Sequence, residues 1–325
     1  MLEFKDKKVV AWGANKLLQF YVRNTPQHKV SYIVDSNKEL QGKRCAGLEV
    51  RSPDEIKIEN LNSTIIILFP VSNTAIQSIL GELHTRGFIL NTNVFLYADV
   101  FYASFERKFK SVLKQDVRRP LYDFVKAFSL STKVPIHTTL LGNMLFLELL
   151  DAMRNENMNI AEVGAYHGGN ALIALLHLAG QLKRPPFYIF DSFEGFPDLS
   201  AFDPHHKKKG DYKIEGTFEN IRDTLSIFPN ARVIKGFVPE TFSQLPKNAQ
   251  YGLVFYDCDL YEPALSTFKY FWDRIIPGGF LMIHDYVAEE GGFTGVKQAT
   301  DEFFKGKDVT INVFWENTSA VVVKK

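Results

Sequence analysis

"NIAEVGAYHGGNALI", residues 159–173, reads first as a buried strand and then as the start of a helix, with Gly164, Gly168 and Gly169 in the join. Glycines there let the backbone turn sharply and let a ligand lie close to it. Four further apolar runs follow, each after a helical pattern: "PFYIFDS" from 186, "ARVIKG" from 231, "YGLVFYD" from 251 and "GGFLMIHD" from 278. Strands that alternate with helices form a parallel sheet with right-handed crossovers. "VTINVFW" (309–315) and "SAVVVKK" (319–325), joined by "ENT", add a terminal hairpin. The expected architecture is a doubly wound α/β sheet of five parallel strands with an antiparallel edge strand.

The N-terminal half alternates in the same way on a smaller scale. "KKVVAWG", "KVSYIVDS", "TIIILFP" and "NVFLY" read as strands, the last two separated by the amphipathic "NTAIQSILGELHTRG". A length of 325 residues favours two domains. The pattern places a small Rossmann-like α/β domain at 1–98, a helical linker at 99–136 and a larger α/β domain at 137–325. Asp35 closes the second N-terminal strand, where a dinucleotide fold keeps its ribose-binding acid. The turn before it, "GANKLL", has one glycine where the phosphate-binding fingerprint has three. A structural or sugar-recognising role fits this domain better than nucleotide binding.

Ligands of doubly wound sheets bind beyond the carboxyl ends of the strands. The first end has the spacing E-x-G-x-x-x-G, from Glu162 through Gly164 to Gly168. That spacing suits S-adenosylmethionine better than a dinucleotide, because no pyrophosphate needs cradling and an acid near the strand end suits a cationic amino-acid moiety. Asp191, at the second strand end, has two oxygens for the hydroxyls of a ribose, although Asp191 and Ser192 also fit a helix cap. Glu162, Gly164, Tyr166, Gly168, Asp191 and Ser192 are therefore the candidate cofactor-binding residues.

The fourth and fifth strand ends carry "DCD" (257–259) and "HD" (284–285). If these strands are neighbours, about 4.8 Å apart, their carboxylates share one rim. Such acids repel, which either leaves one protonated or recruits a cation. Asp257 or His284 could then take a proton from a substrate hydroxyl, with or without a divalent metal. Asp259 is expected instead to cap the helix "YEPALSTFKYFWDRI", and Cys258 to be a small buried hydrophobe.

Composition excludes other classes. The formal charge of +1 creates no field that would attract nucleic acid or an anionic membrane, and runs such as "IIILFPV" are too short to span a bilayer. Cys45 and Cys258 offer neither a disulfide framework nor a zinc cluster, and no secretory signal pattern opens the sequence, so a cytoplasmic location is expected. A homo-oligomer is compatible with all of this.

Taken together, "AEVGAYHGGNALI", "FYIFDSFEGFP", "VIKGFVPETFSQLP", "FYDCDLYEPALSTFKYFWDRIIPGGFLMIHDY" and "GVKQATDEFF" resemble the macrocin O-methyltransferase family, the TylF/MycF/NovP type, over about 137–305. The resemblance implies a class I methyltransferase fold, S-adenosylmethionine as methyl donor, a sugar, nucleotide-sugar or glycan acceptor, and magnesium held by acids at the fourth and fifth strand ends. By position, Asp257 would be metal ligand and general base and Asp285 a second ligand. Where the family pattern has two aspartates this chain has His284 and Asp285, so a metal-free reaction with His284 as base is the alternative. The N-terminal half resembles small Rossmann-like domains attached to sugar-modifying enzymes of surface-polysaccharide synthesis. An NAD-dependent nucleotide-sugar oxidoreductase or epimerase, and a non-catalytic methyltransferase subunit, are the competing readings. The long stretch "DLSAFDPHHKKKGDYKIEGTF" (198–218) is expected to form a lid, with His205 to Lys209 presenting positive charge to an anionic substrate.

Overall fold

The computed structural model describes residues 4, 6–25, 29–153, 158–287 and 292–325. They form two compact units, one of Met1–Asp116 with Ser129–Lys133 and one of Val117–Phe128 with Val134–Lys325. The stretch "LLGNMLFLELLDAMRNE" (140–156) carries apolar residues at helical spacing, and its last part, residues 154–156, lies outside the described residues.

In the first unit the chain runs β1 (Lys8–Trp12), α1 (Lys16–Asn24), β2 (Val30–Val34), β3 (Arg44–Cys45), β4 (Leu48–Arg51), β5 (Thr64–Leu68), α2 (Asn73–Thr85), β6 (Val94–Leu96) and α3 (Tyr97–Leu113). The sheet order is β3-β4-β2-β1-β5-β6, parallel except for the β3–β4 hairpin. That hairpin escaped the sequence pattern because its strands are so short; it closes through Ala46 and Gly47, both at positive φ. β5 is buried along its whole length, as an unbroken Ile-rich run in a central parallel strand must be. Asn15 and Ser72 cap α1 and α2, accepting from the Leu18 and Ala75 amides. The carboxylate of Asp35 is bonded to its own fold: Oδ2 accepts from the Ala14 amide at 2.7 Å and Oδ1 from the Asn37 amide at 2.8 Å.

After α4 (Arg119–Ser131) come α5 (Leu140–Ala152), β7 (Asn159–Val163), α6 (Gly169–Gly180), β8 (Phe187–Asp191), α7 (Thr217–Leu225), β9 (Ala231–Lys235), β10 (Tyr251–Tyr256), α8 (Tyr261–Phe271), β11 (Ile275–Ile283), α9 (Thr294–Phe304), β12 (Ile311–Phe314) and β13 (Ser319–Val323). The order β12-β13-β11-β10-β7-β8-β9 contains the five expected parallel strands, and the terminal hairpin supplies antiparallel β13. Alternate side chains of β10 serve opposite layers. Val254 and Tyr256 join Ala264, Phe268 and Phe271 of α8 and Val296 of α9 in one core, while Phe255 meets Phe146 of α5 with ring centroids 5.0 Å apart. Each of the valine and phenylalanine side chains contributes about 1.5–3 kcal/mol by leaving water.

α5 is apolar on nearly all sides, and its buried Glu148 is satisfied by the Arg118 amide at 2.8 Å and the Arg118 guanidinium at 3.2 Å. The same guanidinium pairs with Asp151, whose carboxylate also meets His177 Nε2 at 2.8 Å and Gln181 Nε2 at 2.9 Å. Burial alone would raise the Asp151 pKa, but hydrogen bonds from His177 and Arg118 outweigh it and lower it to about 2. A depressed folded pKa stabilises above the unfolded value of about 4 and loses that contribution as pH falls through the folded value. Asp151→Asn should therefore cost about 1 kcal/mol near neutrality, after allowance for solvent screening, and the difference from wild type should vanish below about pH 2. Urea melts across pH check this.

Candidate functional site

A cavity of about 340 Å³ opens at the carboxyl ends of β7, β8, β10 and β11, lined among others by Gly164, Asp191, Gly236, Asp257 and His284. Its floor depends on one glycine. Gly164 has φ +101°, and a Cβ there would lie 2.1 Å from the carbonyl oxygen of Asp257. Gly168, at φ +73°, starts α6, and Tyr166 between them is also left-handed at φ +48°. Phe193, Asp259 and Asp285 share that conformation, so the strand-end loops around the cavity hold backbone strain at side-chain-bearing residues.

Asp191 ties two of these loops together. Its Oδ2 accepts from the Ala165 amide at 3.0 Å and the Tyr166 amide at 2.8 Å, and Oδ1 from the Phe193 amide at 2.7 Å. Burial raises its pKa while these amides pull it down. Ser192 Oγ donates to the Gly195 carbonyl at 2.9 Å and accepts from the Glu194 amide at 3.1 Å, while its residue lines the cavity. Glu162 behaves differently from the other candidates. It is 0% exposed and lies beneath the cavity lining. Burial, then the charge of Asp257, pushes its carboxyl well above the usual range.

On the rim, the Asp257 amide bonds to Val163 O at 2.8 Å and the His284 amide to Tyr256 O at 2.9 Å, which carries the sheet pairing into the functional residues. His284 Nδ1 lies 2.8 Å from Asp257 Oδ1 and 3.5 Å from Asp285 Oδ2, an ion pair in proximity that falls short of hydrogen-bond alignment. Nε2 is 3.4 Å from Thr318 Oγ1. Burial would lower the His284 pKa, but the Asp257 and Asp285 carboxylates outweigh it and hold it well above its ordinary value. Asp259 joins this group, contrary to its expected role as a helix cap. α8 is preceded by Leu260, and the Tyr261 amide donates instead to Asp203 Oδ1 at 2.8 Å. The left-handed backbone of Asp259 turns it away from the helix start and into the rim. Burial and then Asp285 raise its pKa well above the carboxylate range. Cys258, between the acids, has its thiol pushed up by burial and by Asp191, in line with an inert small side chain.

The loop 193–216 folds back on itself through Phe196 N to Asp211 O and Gly210 N to Phe196 O, each 2.9 Å. Gly195 permits this, since a Cβ would lie 2.5 Å from the carbonyls of Gly210 and Asp211. Phe196, Tyr212 and Tyr166 form an aromatic wall, with centroid separations of 4.9 Å and 5.8 Å. None of the basic cluster lines this cavity: Lys209, paired with Asp198 at 2.8 Å, lines an adjoining pocket that shares Pro197 and Gly236 to Val238 with it, and Lys207 sits over the Tyr212 ring. Sequence reasoning also missed His137, Thr138, His167 and Asn170, which line the cavity, and Asp203. Only the fold brings 137–138 to the strand ends, and a loop aspartate has no period that would mark it.

A sheet in the order β9-β8-β7-β10-β11 with antiparallel β13, a glycine-turned first strand end and an acid on the second define an S-adenosylmethionine-dependent methyltransferase of the class I fold. The match of residues 137–325, more than half of the sequence, to the macrocin-O-methyltransferase (TylF) family shows that the chain belongs to that family. It is 27% identical over 184 residues to the 8-demethyl-8-(2,3-dimethoxy-alpha-L-rhamnosyl)-tetracenomycin-C 4'-O-methyltransferase of Streptomyces olivaceus, covering 50% of this chain and 67% of that one. In fold it is similar to the O-methyltransferase NovP, with a TM-score of 0.50, 16% identity and 69% and 99% of the two chains covered. The calicheamicin methyltransferase CalS11 gives a TM-score of 0.52 at 16% identity, covering 68% and 91%. The enzyme is thus a methyltransferase related to sugar-modifying enzymes. Among the described residues no helix is long and apolar enough to cross a membrane.

Gly164→Ala is expected to destabilise the fold by about 3 kcal/mol or more and to abolish S-adenosylhomocysteine binding, because a Cβ at 2.1 Å from a backbone oxygen forces β7 and β10 apart. Thermal unfolding and calorimetry check both effects.

Proposed function

We propose that this methyltransferase acts on a hydroxyl of a sugar, nucleotide sugar or glycan, with Asp257 as general base. The observation that carries the reading is the Asp257 carboxylate, facing the cavity from the end of β10 with His284 Nδ1 at 2.8 Å. The activity named for the Streptomyces olivaceus relative, O-methylation of a rhamnosyl compound, supports the acceptor class. S-adenosylmethionine supplies an electrophilic methyl on a sulfonium. In this reading the turn Gly164–Gly168 receives its amino-acid end, with Tyr166 and Ser192 along the walls, and Asp191 takes its ribose hydroxyls. Methyl transfer is an in-line displacement, so the protein's work is to hold the acceptor oxygen in line and remove its proton. Asp257 does the second.

The rim also fits a divalent cation. Asp257, Asp259, His284 and Asp285 offer ligand atoms that all lie within 4.8 Å of one another. Oxygen donors suit magnesium, and a cation would offset the burial and the repulsion by Asp285 and Asp257 that raise the Asp259 pKa. Asp257, Asp285 and Asp259 would hold it, and it would acidify and orient the acceptor hydroxyl. A second reading gives the proton to His284 without a metal, motivated by a histidine standing where the family pattern has an aspartate; the carboxylates that raise its pKa weigh against it.

Asp257→Asn should lower methyl transfer from labelled S-adenosylmethionine at least a hundredfold and leave S-adenosylhomocysteine affinity within about twofold, the loss expected of a missing base rather than a missing binding group. Unchanged turnover removes Asp257 from the role. EDTA should slow the wild-type reaction, and magnesium should restore it. A rate indifferent to both removes the metal from the reaction and leaves the base to be decided by the Asp257→Asn result.

A further inference from the structure

The segment before α5 is locked into the cavity wall by two glycines. At Gly169 a Cβ would lie 2.6 Å from Pro135 O and 2.8 Å from Ile136 Cγ1; at Gly142 it would lie 2.7 Å from Thr138 Cγ2. Asn143 Nδ2 donates to the carbonyls of Thr138 and Thr139 at 3.2 Å and 3.3 Å, and Thr139 Oγ1 accepts from the Gly142 amide at 3.0 Å. Thr138, 4% exposed, therefore has a fixed backbone and a fixed direction.

Its hydroxyl is committed at both ends. Oγ1 accepts from Asn170 Nδ2 at 2.7 Å, which leaves the hydroxyl hydrogen to donate to Asp257 Oδ2 at 3.3 Å. Asn170 is buried in the first turn of α6, directly after the glycine loop. The chain of donors thus runs one way, from amide to hydroxyl to carboxylate, and each bond polarises the next. The two oxygens of Asp257 meet different parts of the fold: Oδ1 lies against His284, just after β11, and Oδ2 accepts from Thr138, just before α5.

We infer that Thr138, aligned by Asn170, is a positioning residue that sets the orientation of the Asp257 carboxylate, an inference that rests on Asp257 being the base. A carboxylate without this donor would rotate about its Cβ–Cγ bond and lose its alignment with the acceptor proton, and misplacement by about 1 Å costs up to a hundredfold in rate. The chain also couples the cofactor loop to the base, since Asn170 belongs to the helix that the Gly168 turn begins.

The test is a set of crystal structures of the full-length protein with S-adenosylhomocysteine, wild type beside Thr138→Val and Thr138→Ser, paired with turnover of labelled S-adenosylmethionine. The valine variant keeps the shape and removes the donor: its Asp257 carboxylate should rotate away and kcat fall roughly tenfold or more, with KM for S-adenosylmethionine unchanged. The serine variant should restore both. Asn170→Ala, which removes the amide and leaves the Thr138 segment unchanged, should move the carboxylate in the same direction and covers the case of a valine variant that does not fold. An unmoved carboxylate, an unchanged kcat, or a serine variant as impaired as the valine one overturns the inference. Failure of the wild type to bind S-adenosylhomocysteine defeats the functional reading instead, and the carboxylate positions in ligand-free crystals still decide the role of Thr138.

Discussion

The close approach of Gly164 to the Asp257 carbonyl is the constraint on which the site depends. β7 and β10 are neighbours in the parallel sheet, and the chain leaving β7 must turn across the end of β10 to begin α6. Only a residue without Cβ and with a left-handed φ makes that turn. Once it is made, the Ala165 and Tyr166 amides point at Asp191, and α6 brings Asn170 to Thr138. The ligand loop, the second-strand acid and the Asp257 carboxylate are in this sense one object, assembled around a contact between two backbones.

Both units use the same device. The acid that ends the second strand accepts the amide of the turn after the first strand, Asp35 from Ala14 and Asp191 from Tyr166, and each also accepts the amide two residues on. The difference lies in the turn. The first unit has Gly13 alone before Asn15 caps α1, whereas the second has a longer turn with Gly164 and Gly168 that opens a cavity beside its acid. In both units an acid of this kind latches the turn after the first strand to its own loop.

Much of the fold was legible because its signals are local. The five parallel strands and the hairpin announced themselves as apolar runs with turn residues between them, and neighbouring strand ends put Asp257, His284 and Asp285 on one rim. What was not legible is set by tertiary contact. Asp259 precedes a helix and so looked like its cap, but a left-handed backbone sends it to the rim and a loop residue, Asp203, takes the cap from fifty-eight positions away. The lysines of 207–209 looked like a substrate-facing patch, yet the fold of the loop gives the cavity its aromatic residues and puts Lys209, paired with Asp198, in an adjoining pocket. Thr138 carries no motif; its place comes from Gly142 and Gly169, which make room for it.

The central claim is that the strand-end space of the larger unit is the cofactor site and that the first-unit turn is not one. Parallel calorimetric titrations of the full-length protein with S-adenosylhomocysteine and with NAD test this most directly. The account predicts saturable binding of S-adenosylhomocysteine and no heat from NAD; tight NAD binding with none to S-adenosylhomocysteine would contradict it.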